Sequence, residues 1–447
     1  MNADQIRAKV DGMMPEVVAD LGTLVEFASI AFPGFPSEPV VGTAQAVVDI
    51  LKRYGAPDAR LLEIPGGYSA VFAEVKGPEG APTVMMYGHY DVQPAPAEQG
   101  WLTDPWKPTM KDGRLYGRGA ADDKSGVLIN AASLRVFDGR PPVNVKIVLE
   151  GEEETISHLE EFVEHNPELF TCDVFIIADM GNLKVGEPIL TTTLRGDVAC
   201  TVQVETLDHP LHSGVFGGPA PDALMALITM CARLVDADGT VAVPGVSAYD
   251  WPGADLDSDV FRENAGVLEG VDLIGTGTIG TRLWSKPSIN VLGIDAPTVK
   301  EAANILIPKA TAKVSMRIVP GADPDVEIDK LMAFLRSVAP WNAQVTVEPV
   351  KALNAFEAKS DGPAYAAARA AMKAAFGGDV GEAGSGGSIP LLGTLAVAAP
   401  DAEFILWGAE DMAMARIHGA NESVDPREIA DLIVAQALFM QSFAELG

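Results

Sequence analysis

Met85-Met86-Tyr87-Gly88-His89-Tyr90-Asp91-Val92-Gln93-Pro94 is an apolar run that ends in a histidine and, two residues on, an aspartate. It reads as a buried strand. Successive side chains on a strand alternate between faces, so His89 and Asp91 share one face while Tyr90 takes the other. Pro94, with Pro96 behind it, ends regular pairing just past them, because proline lacks the donor that a ladder needs. One imidazole and one carboxylate are thus aimed together at a strand end, where α/β folds place their ligands. A core histidine satisfied by a nearby carboxylate explains the pair equally well, unless other ligand-type residues collect at the same edge.

The strands that follow have similar ends. Asn144-Val145-Lys146-Ile147-Val148-Leu149 runs straight into Glu150-Gly151-Glu152-Glu153-Glu154, and Asp173-Val174-Phe175-Ile176-Ile177-Ala178 ends at Asp179. An acidic run on its own is usually a solvated turn. In a parallel sheet, however, strand ends of one sense lie along one edge, so these side chains converge although they are far apart in sequence. So many carboxylates cannot stay ionised together without positive charge, and few basic residues accompany them. A pair of divalent metal ions would supply it.

Between the first two of these strands lies Leu115-Tyr116-Gly117-Arg118-Gly119-Ala120-Ala121-Asp122-Asp123-Lys124-Ser125-Gly126, with glycines for tight turns before a helical pattern from Lys124 to Phe137. Gly-x-Gly before a helix invites a nucleotide site, but no strand leads directly into it and two aspartates would face the phosphate. Helix N-capping accounts for one of these aspartates and not easily for both.

Strands at 70–74, 83–87, 143–149 and 174–178, interleaved with helical patterns at 3–27, 40–54 and 124–137, predict an α/β fold. Its catalytic domain would be a mainly parallel sheet flanked by helices. From Leu194 the chain changes to strand (198–204), helix (220–234), strand (313–319) and strand (344–347), an inserted α+β domain. The helical runs 364–376 and 426–443 and the strand 404–406 return to the first pattern. The expected division is residues 1–193 and 353–447 for the metal-binding catalytic domain and 194–352 for the insertion.

A chain of 447 residues is too long for one core. Its net charge of −30, spread along the chain, would repel nucleic acid and anionic lipid, so neither is an expected partner. Cys172, Cys200 and Cys231 are isolated and odd in number, which fits a reducing cytoplasm. The first residues lack a signal-peptide pattern, and no apolar window reaches the roughly 18 residues of a membrane span. The expectation is a soluble cytoplasmic protein.

His89-Tyr90-Asp91-Val92-Gln93-Pro94, Gly117-Arg118-Gly119-Ala120-Ala121-Asp122-Asp123-Lys124 and Glu150-Gly151-Glu152-Glu153-Glu154 resemble the motif set of a family of co-catalytic dizinc metallopeptidases. The family contains carnosine-type dipeptidases, glutamate carboxypeptidase, aminoacylase and succinyl-diaminopimelate desuccinylase. Further similar stretches are Leu211-His212-Ser213-Gly214-Val215-Phe216-Gly217-Gly218, Ser315-Met316-Arg317-Ile318-Val319-Pro320-Gly321, Gly386-Gly387-Ser388-Ile389-Pro390 and His418-Gly419-Ala420-Asn421-Glu422. They fall in order from residue 89 to 422 and look most like the dipeptidase branch.

The resemblance implies two divalent ions, zinc first with manganese or cobalt as alternatives. Asp122 would bridge them, His89 and Asp179 would complete one site, and Glu154 and His418 the other. Asp91 would accept the proton of the second His89 ring nitrogen and so fix its tautomer. Glu153 would be the general base, the distance from Gly151 favouring it over its neighbours. His212 would polarise the scissile carbonyl, usually from a neighbouring subunit, which implies a homodimer through the insertion. Arg317 would grip the substrate's terminal carboxylate, with Gly387 and Ser388 against the same end.

Where such dipeptidases carry a charged pair before Gly-Gly-Ser-Ile-Pro, this chain has Gly384-Ser385, so recognition of one substrate end should differ. His158, His165 and His209 have no ligand-type context, and the cysteines read as small apolar groups. The expected activity is hydrolysis of dipeptides or short peptides with a free C-terminal carboxylate. The alternatives are an N-acyl-amino-acid deacylase with the same metal centre and a silent scaffold, the latter opposed by retention of every ligand and of Glu153.

Overall fold

The computed structural model of the chain describes residues 1–412 and 414–446. Helical periodicity at the start becomes the helix Ala3–Val25, which buries Ile6, Val10, Met13, Val17, Leu21 and Leu24. Asn2 caps it reciprocally: its side chain accepts the Gln5 N–H at 2.9 Å, and the Gln5 side chain accepts the Asn2 N–H at 3.0 Å. The helix Glu38–Tyr54 follows a loop that holds Pro33 and Pro36 and stops at Gly55, which adopts a left-handed φ of 116°.

Two sheets organise the chain. Strands β1 (Arg60–Leu62), β2 (Ala70–Val75), β3 (Thr83–His89), β4 (Asn144–Glu150), β5 (Val174–Ile177) and β6 (Ile189–Leu194) open the larger, nine-stranded sheet. Strands β7 (Gly196–Glu205), β8 (Ser288–Asp295), β9 (Lys309–Ile318) and β10 (Gln344–Leu353) form the second. The chain then rejoins the first sheet as β11 (Phe356–Glu357), β12 (Gly381–Ser385) and β13 (Glu403–Leu406).

The large sheet runs β1-β2-β4-β3-β5-β13-β6-β11, with β12 beside β6. Its centre, β4-β3-β5-β13, is parallel throughout, with Met86 level with both Ile147 and Ile176. Alternation sends Val84, Met86, Ile147 and Ile176 into one apolar layer and Met85, Tyr87, Val148, Phe175 and Ile177 into the other. The helices Ala3–Val25, Glu38–Tyr54, Lys124–Val136, Pro363–Phe376 and Pro426–Ala444 cover the first face; Leu159–His165 and Leu391–Ala398 cover the second. Burial on both faces explains why these strands read as continuous apolar runs.

The second sheet is antiparallel, in the order β8-β9-β7-β10. The helices Ala223–Cys231 and Pro324–Ser337 pack on Val198, Cys200, Val202, Val314 and Met316. The sequence pattern anticipated three strands and one helix here. It missed β8 because that strand is an open edge, where Val291, Leu292 and Ile294 are exposed and no core face imposes alternation. It also missed Pro324–Ser337, although Asp323 caps it by accepting the Asp325 and Val326 N–H groups. Among the described residues, no helix is long and apolar enough to cross a membrane.

Gly55 and Gly139 touch where the second and third helices turn: a Cβ at Gly55 would lie 2.6 Å from the Gly139 Cα. Gly55→Ala therefore meets both a clash and an unfavourable φ, and should destabilise the protein by about 1–3 kcal/mol in urea unfolding. An unchanged midpoint would show that the turn relaxes freely.

Candidate metal centre

The first ligand-type side chain arrives on β3. His89 is fully buried at the strand's end, and its backbone N–H donates to Asp123 Oδ2 at 3.1 Å. Asp123 also caps the helix Lys124–Val136, its Oδ1 accepting the Gly126 N–H at 3.1 Å. Capping thus takes one of the two consecutive aspartates. It leaves Asp122 with Oδ1 at 3.0 Å from His89 Nε2 and Oδ2 at 3.1 Å from His418 Nε2.

Glu422 fixes the turn that presents Asp122. Its Oε1 accepts the N–H groups of Ala121 and Asp122, at 3.0 and 3.1 Å. Its Oε2 accepts those of Gly119 at 3.0 Å and Arg118 Nη1 at 2.7 Å. The same turn of chain carries His418, held at a left-handed φ of 61°.

Asp91 organises the acidic run after β4. Its Oδ1 accepts the Glu153 N–H at 3.0 Å and its Oδ2 the Glu154 N–H at 3.1 Å. His89 Nδ1 lies 3.1 Å from the Asp91 backbone oxygen and 3.5 Å from its carboxylate, so the carbonyl is the nearer acceptor. In the neutral ring both acceptors would keep the proton on Nδ1, leaving Nε2, which faces Asp122 and, at 3.6 Å, Asp179, as the nitrogen free to bind a metal. Glu154 Oε2 reaches His418 Nε2 at 3.2 Å and accepts from Gln93 Nε2 at 2.7 Å. Glu153 Oε2 stands 4.0 Å from His89 Nε2.

The electrostatics are those of a site short of cations. Burial pushes Asp179 up to about 6 and, with neighbouring carboxylates, holds Glu153, Asp123 and Glu410 well above their usual range. Asp122 stays low despite burial because both imidazoles bond to it. Hydrogen bonds to Asp122 and Glu154 raise His418 to about 10. Burial alone would lower His89, yet Asp179, Asp122 and Asp91 keep it well above its ordinary value. Among the described residues, three groups bring ligand atoms within 4.8 Å of one another: His89 with Asp123 and Asp179, Asp122 with Glu154 and His418, and Asp122 with Asp179 and Glu410. Mixed nitrogen and oxygen donors around shared carboxylates fit divalent ions such as zinc, manganese or cobalt.

His89, Asp91, Asp122, Glu153, Glu154, Asp179 and His418 therefore converge. A second locus joins Arg317 to Ser388, Nη1 to Oγ at 3.0 Å, with the Gly387 N–H on Ser385 Oγ at 3.2 Å. His212 lies in neither: it is exposed, and its Nδ1 accepts the Gly214 N–H at 3.1 Å. Trp284 packs on Gly384; a Cβ there would lie 2.6 Å from the Trp284 Cβ. Of the other histidines, His158 pairs with Glu152 at 2.9 Å and His209 with its neighbour Asp208.

Asp123, Glu410 and Glu422 were not assigned from sequence. Glu410 lies shortly after β13, the next parallel strand, so the strand-end rule that singled out Asp179 applied to it too. Glu422 sits inside the His418–Glu422 stretch.

The model of "Peptidase family M20/M25/M40" matches residues 85–442. The chain is 41% identical over 381 residues to a cysteinylglycine-S-conjugate dipeptidase of Corynebacterium striatum, covering 83% of each chain. It is 35% identical over 357 residues to a Beta-Ala-His dipeptidase of Rattus norvegicus, covering 75% of this chain and 71% of the other. The crystal structure of human carnosine dipeptidase 1 aligns with a TM-score of 0.84 at 26% identity, covering 100% of this chain and 99% of that one.

Asp91→Asn replaces an acceptor facing an N–H by a second donor, loosening Glu153 or Glu154 and the His89 ring. Divalent metal should then be held about 10- to 100-fold more weakly in competition with a chelator. Retention equal to the wild type would deny Asp91 this orienting part.

Proposed function

The chain belongs to peptidase family M20/M25/M40 and is a metallopeptidase, and from that premise we propose that it cleaves dipeptides or short peptides bearing a free C-terminal carboxylate. The observation that carries the proposal is the Asp122 carboxylate lying between His89 and His418, at 3.0 and 3.1 Å, with Glu153 beside it. His89, Asp122 and Asp179 would hold one ion and Asp122, Glu154 and His418 the other. When bound, two such ions polarise the scissile carbonyl and acidify the attacking water.

The chain's own groups supply the proton traffic and the grip. Glu153 takes the proton of the attacking water and hands one to the leaving amine. Its burial, which favours the protonated acid, suits the second half of that cycle. Asp91 anchors Glu153 by its backbone N–H, so the base does not drift from the water. Arg317, steadied by Ser388, takes the peptide's carboxylate, with Gly387 in the same turn. His212 stabilises the developing oxyanion from a second copy of the chain, since among the described residues it pairs with Ile305 and bonds Gly214, apart from the metal ligands. The unpaired edge of β8, with Val291, Leu292 and Ile294 exposed, supports a homodimer through residues 194–352. Three unpaired cysteines suit a reducing cytoplasm.

An N-acyl-amino-acid deacylase with the same centre is the second reading, favoured by one observation: Gly384-Ser385 offers no charge to one end of the substrate.

Stripped of metal by chelation and resupplied with zinc, manganese or cobalt, the protein should regain cleavage of dipeptides over N-acetyl amino acids. The reverse preference would select the deacylase. Glu153→Gln should lower kcat by about 10²–10⁴-fold with metal content intact; a variant that turns over normally would remove Glu153 from the role of base. Mixing Glu153→Gln with His212→Ala protein should restore activity that neither has alone, because one active site of each mixed dimer is whole. No recovery after verified subunit exchange would place the His212 contribution within its own chain or nowhere.

A further inference from the structure

Arg195 sits where the chain leaves the large sheet for the small one, between β6 and β7, and is 8% exposed. Buried arginines ordinarily face a carboxylate. Arg195 does not: Nη1 donates to Ser288 Oγ at 3.1 Å and weakly to the Lys286 carbonyl at 3.4 Å, while Nε is buried with no partner. Nη2 makes none of the described hydrogen bonds and points at Gly386, where a Cβ would lie 3.0 Å from it.

The neighbour of this guanidinium is another one. In the small sheet Arg317 pairs directly with Ser288 on one side and Asp197 on the other, so all three share a face. Burial and the Arg317 charge together lower Arg195 to about 10. Asp197, the carboxylate that acts on Arg195, is already taken by Ser315 Oγ at 2.6 Å and Lys351 Nζ at 3.2 Å. Ser388 Oγ links the pair, accepting from Arg317 Nη1 at 3.0 Å and donating to the Arg195 backbone oxygen at 2.5 Å. In a chain of net charge −30, two guanidiniums thus share a corner whose one acting carboxylate, Asp197, is already engaged elsewhere.

We infer that Arg195 is a second guanidinium of the substrate-carboxylate site: its Nη2, against the Gly386–Ser388 turn, and Arg317 take the two oxygens of one carboxylate at the peptide's C-terminal end. This rests on the peptidase activity proposed above. It also gives the Gly384-Ser385 departure a meaning, since the positive charge comes from the start of the insertion and not from the residues before Gly386.

Arg195→Gln should raise KM for a dipeptide about 10- to 100-fold, the range for a lost hydrogen bond to a charged group, and leave kcat within about threefold. Arg195→Lys should recover part of the loss. Gly386→Ala, which crowds Nη2 while leaving the Ser288 bond intact, should shift KM in the same direction. Calorimetric titration of the metal-loaded proteins with glycine should show the same weakening in Arg195→Gln, and titration with glycinamide should show none. Equal glycine affinity in wild type and Arg195→Gln overturns the assignment. So does a fall in kcat and melting temperature, at unchanged KM, shared by the Gln and Lys variants, which would make Arg195 a structural tie. Because the titration needs no turnover, it judges Arg195 even if no peptide is cleaved.

Discussion

Buried carboxylates are expensive unless something donates to them, and this constraint shapes the catalytic edge of the large sheet. Backbone N–H groups satisfy some of them. Glu422 collects three, Asp91 two, and Asp123 those of His89 and Gly126. Each such carboxylate freezes a piece of loop, and the pieces together present Asp122, Glu153, Glu154 and Asp179. For these last groups the two imidazoles are the cationic partners at hand. The acids that shape the loops and the acids left facing the cleft thus have separate tasks, and the second set is what calls for metal.

Much of this was legible in the sequence because a parallel sheet turns a one-dimensional regularity into a place. Three apolar strands with polar ends suffice to locate an edge, and β3, β4 and β5 deliver His89, the glutamate run and Asp179 to it. Spacing alone could not apportion that run. The structure separates its members: Glu150 bonds the Tyr87 hydroxyl, Glu152 pairs with His158, and Glu153 and Glu154 hang from Asp91. Glu422 and Asp122 are joined across a separation of 300 residues that no local pattern reveals. β8 escaped notice for the opposite reason, having apolar residues with nothing among the described residues to bury them.

The junction between the two sheets is more than a crossing of chain. β6 hands over to β7 through Arg195, and the Arg195 backbone N–H bonds the Ser385 oxygen of β12. A strand of the small sheet and the loop after β12 therefore meet around one polar corner, with Arg317 contributed by the first and Ser388 by the second. A ligand seated there touches both bodies at once, so its binding free energy and their relative orientation are coupled.

The clamp of Glu422 on residues 118–122 bears on timing. A chain made from its N-terminus can complete β3, β4 and β5 early, yet the turn bearing Asp122 has no anchor until Glu422, 300 residues downstream of it, has been made. The turn is thus closed by a segment made long after the strands beside it. Until that segment has emerged, the growing chain lacks both the anchor of Asp122 and the His418 imidazole that faces it.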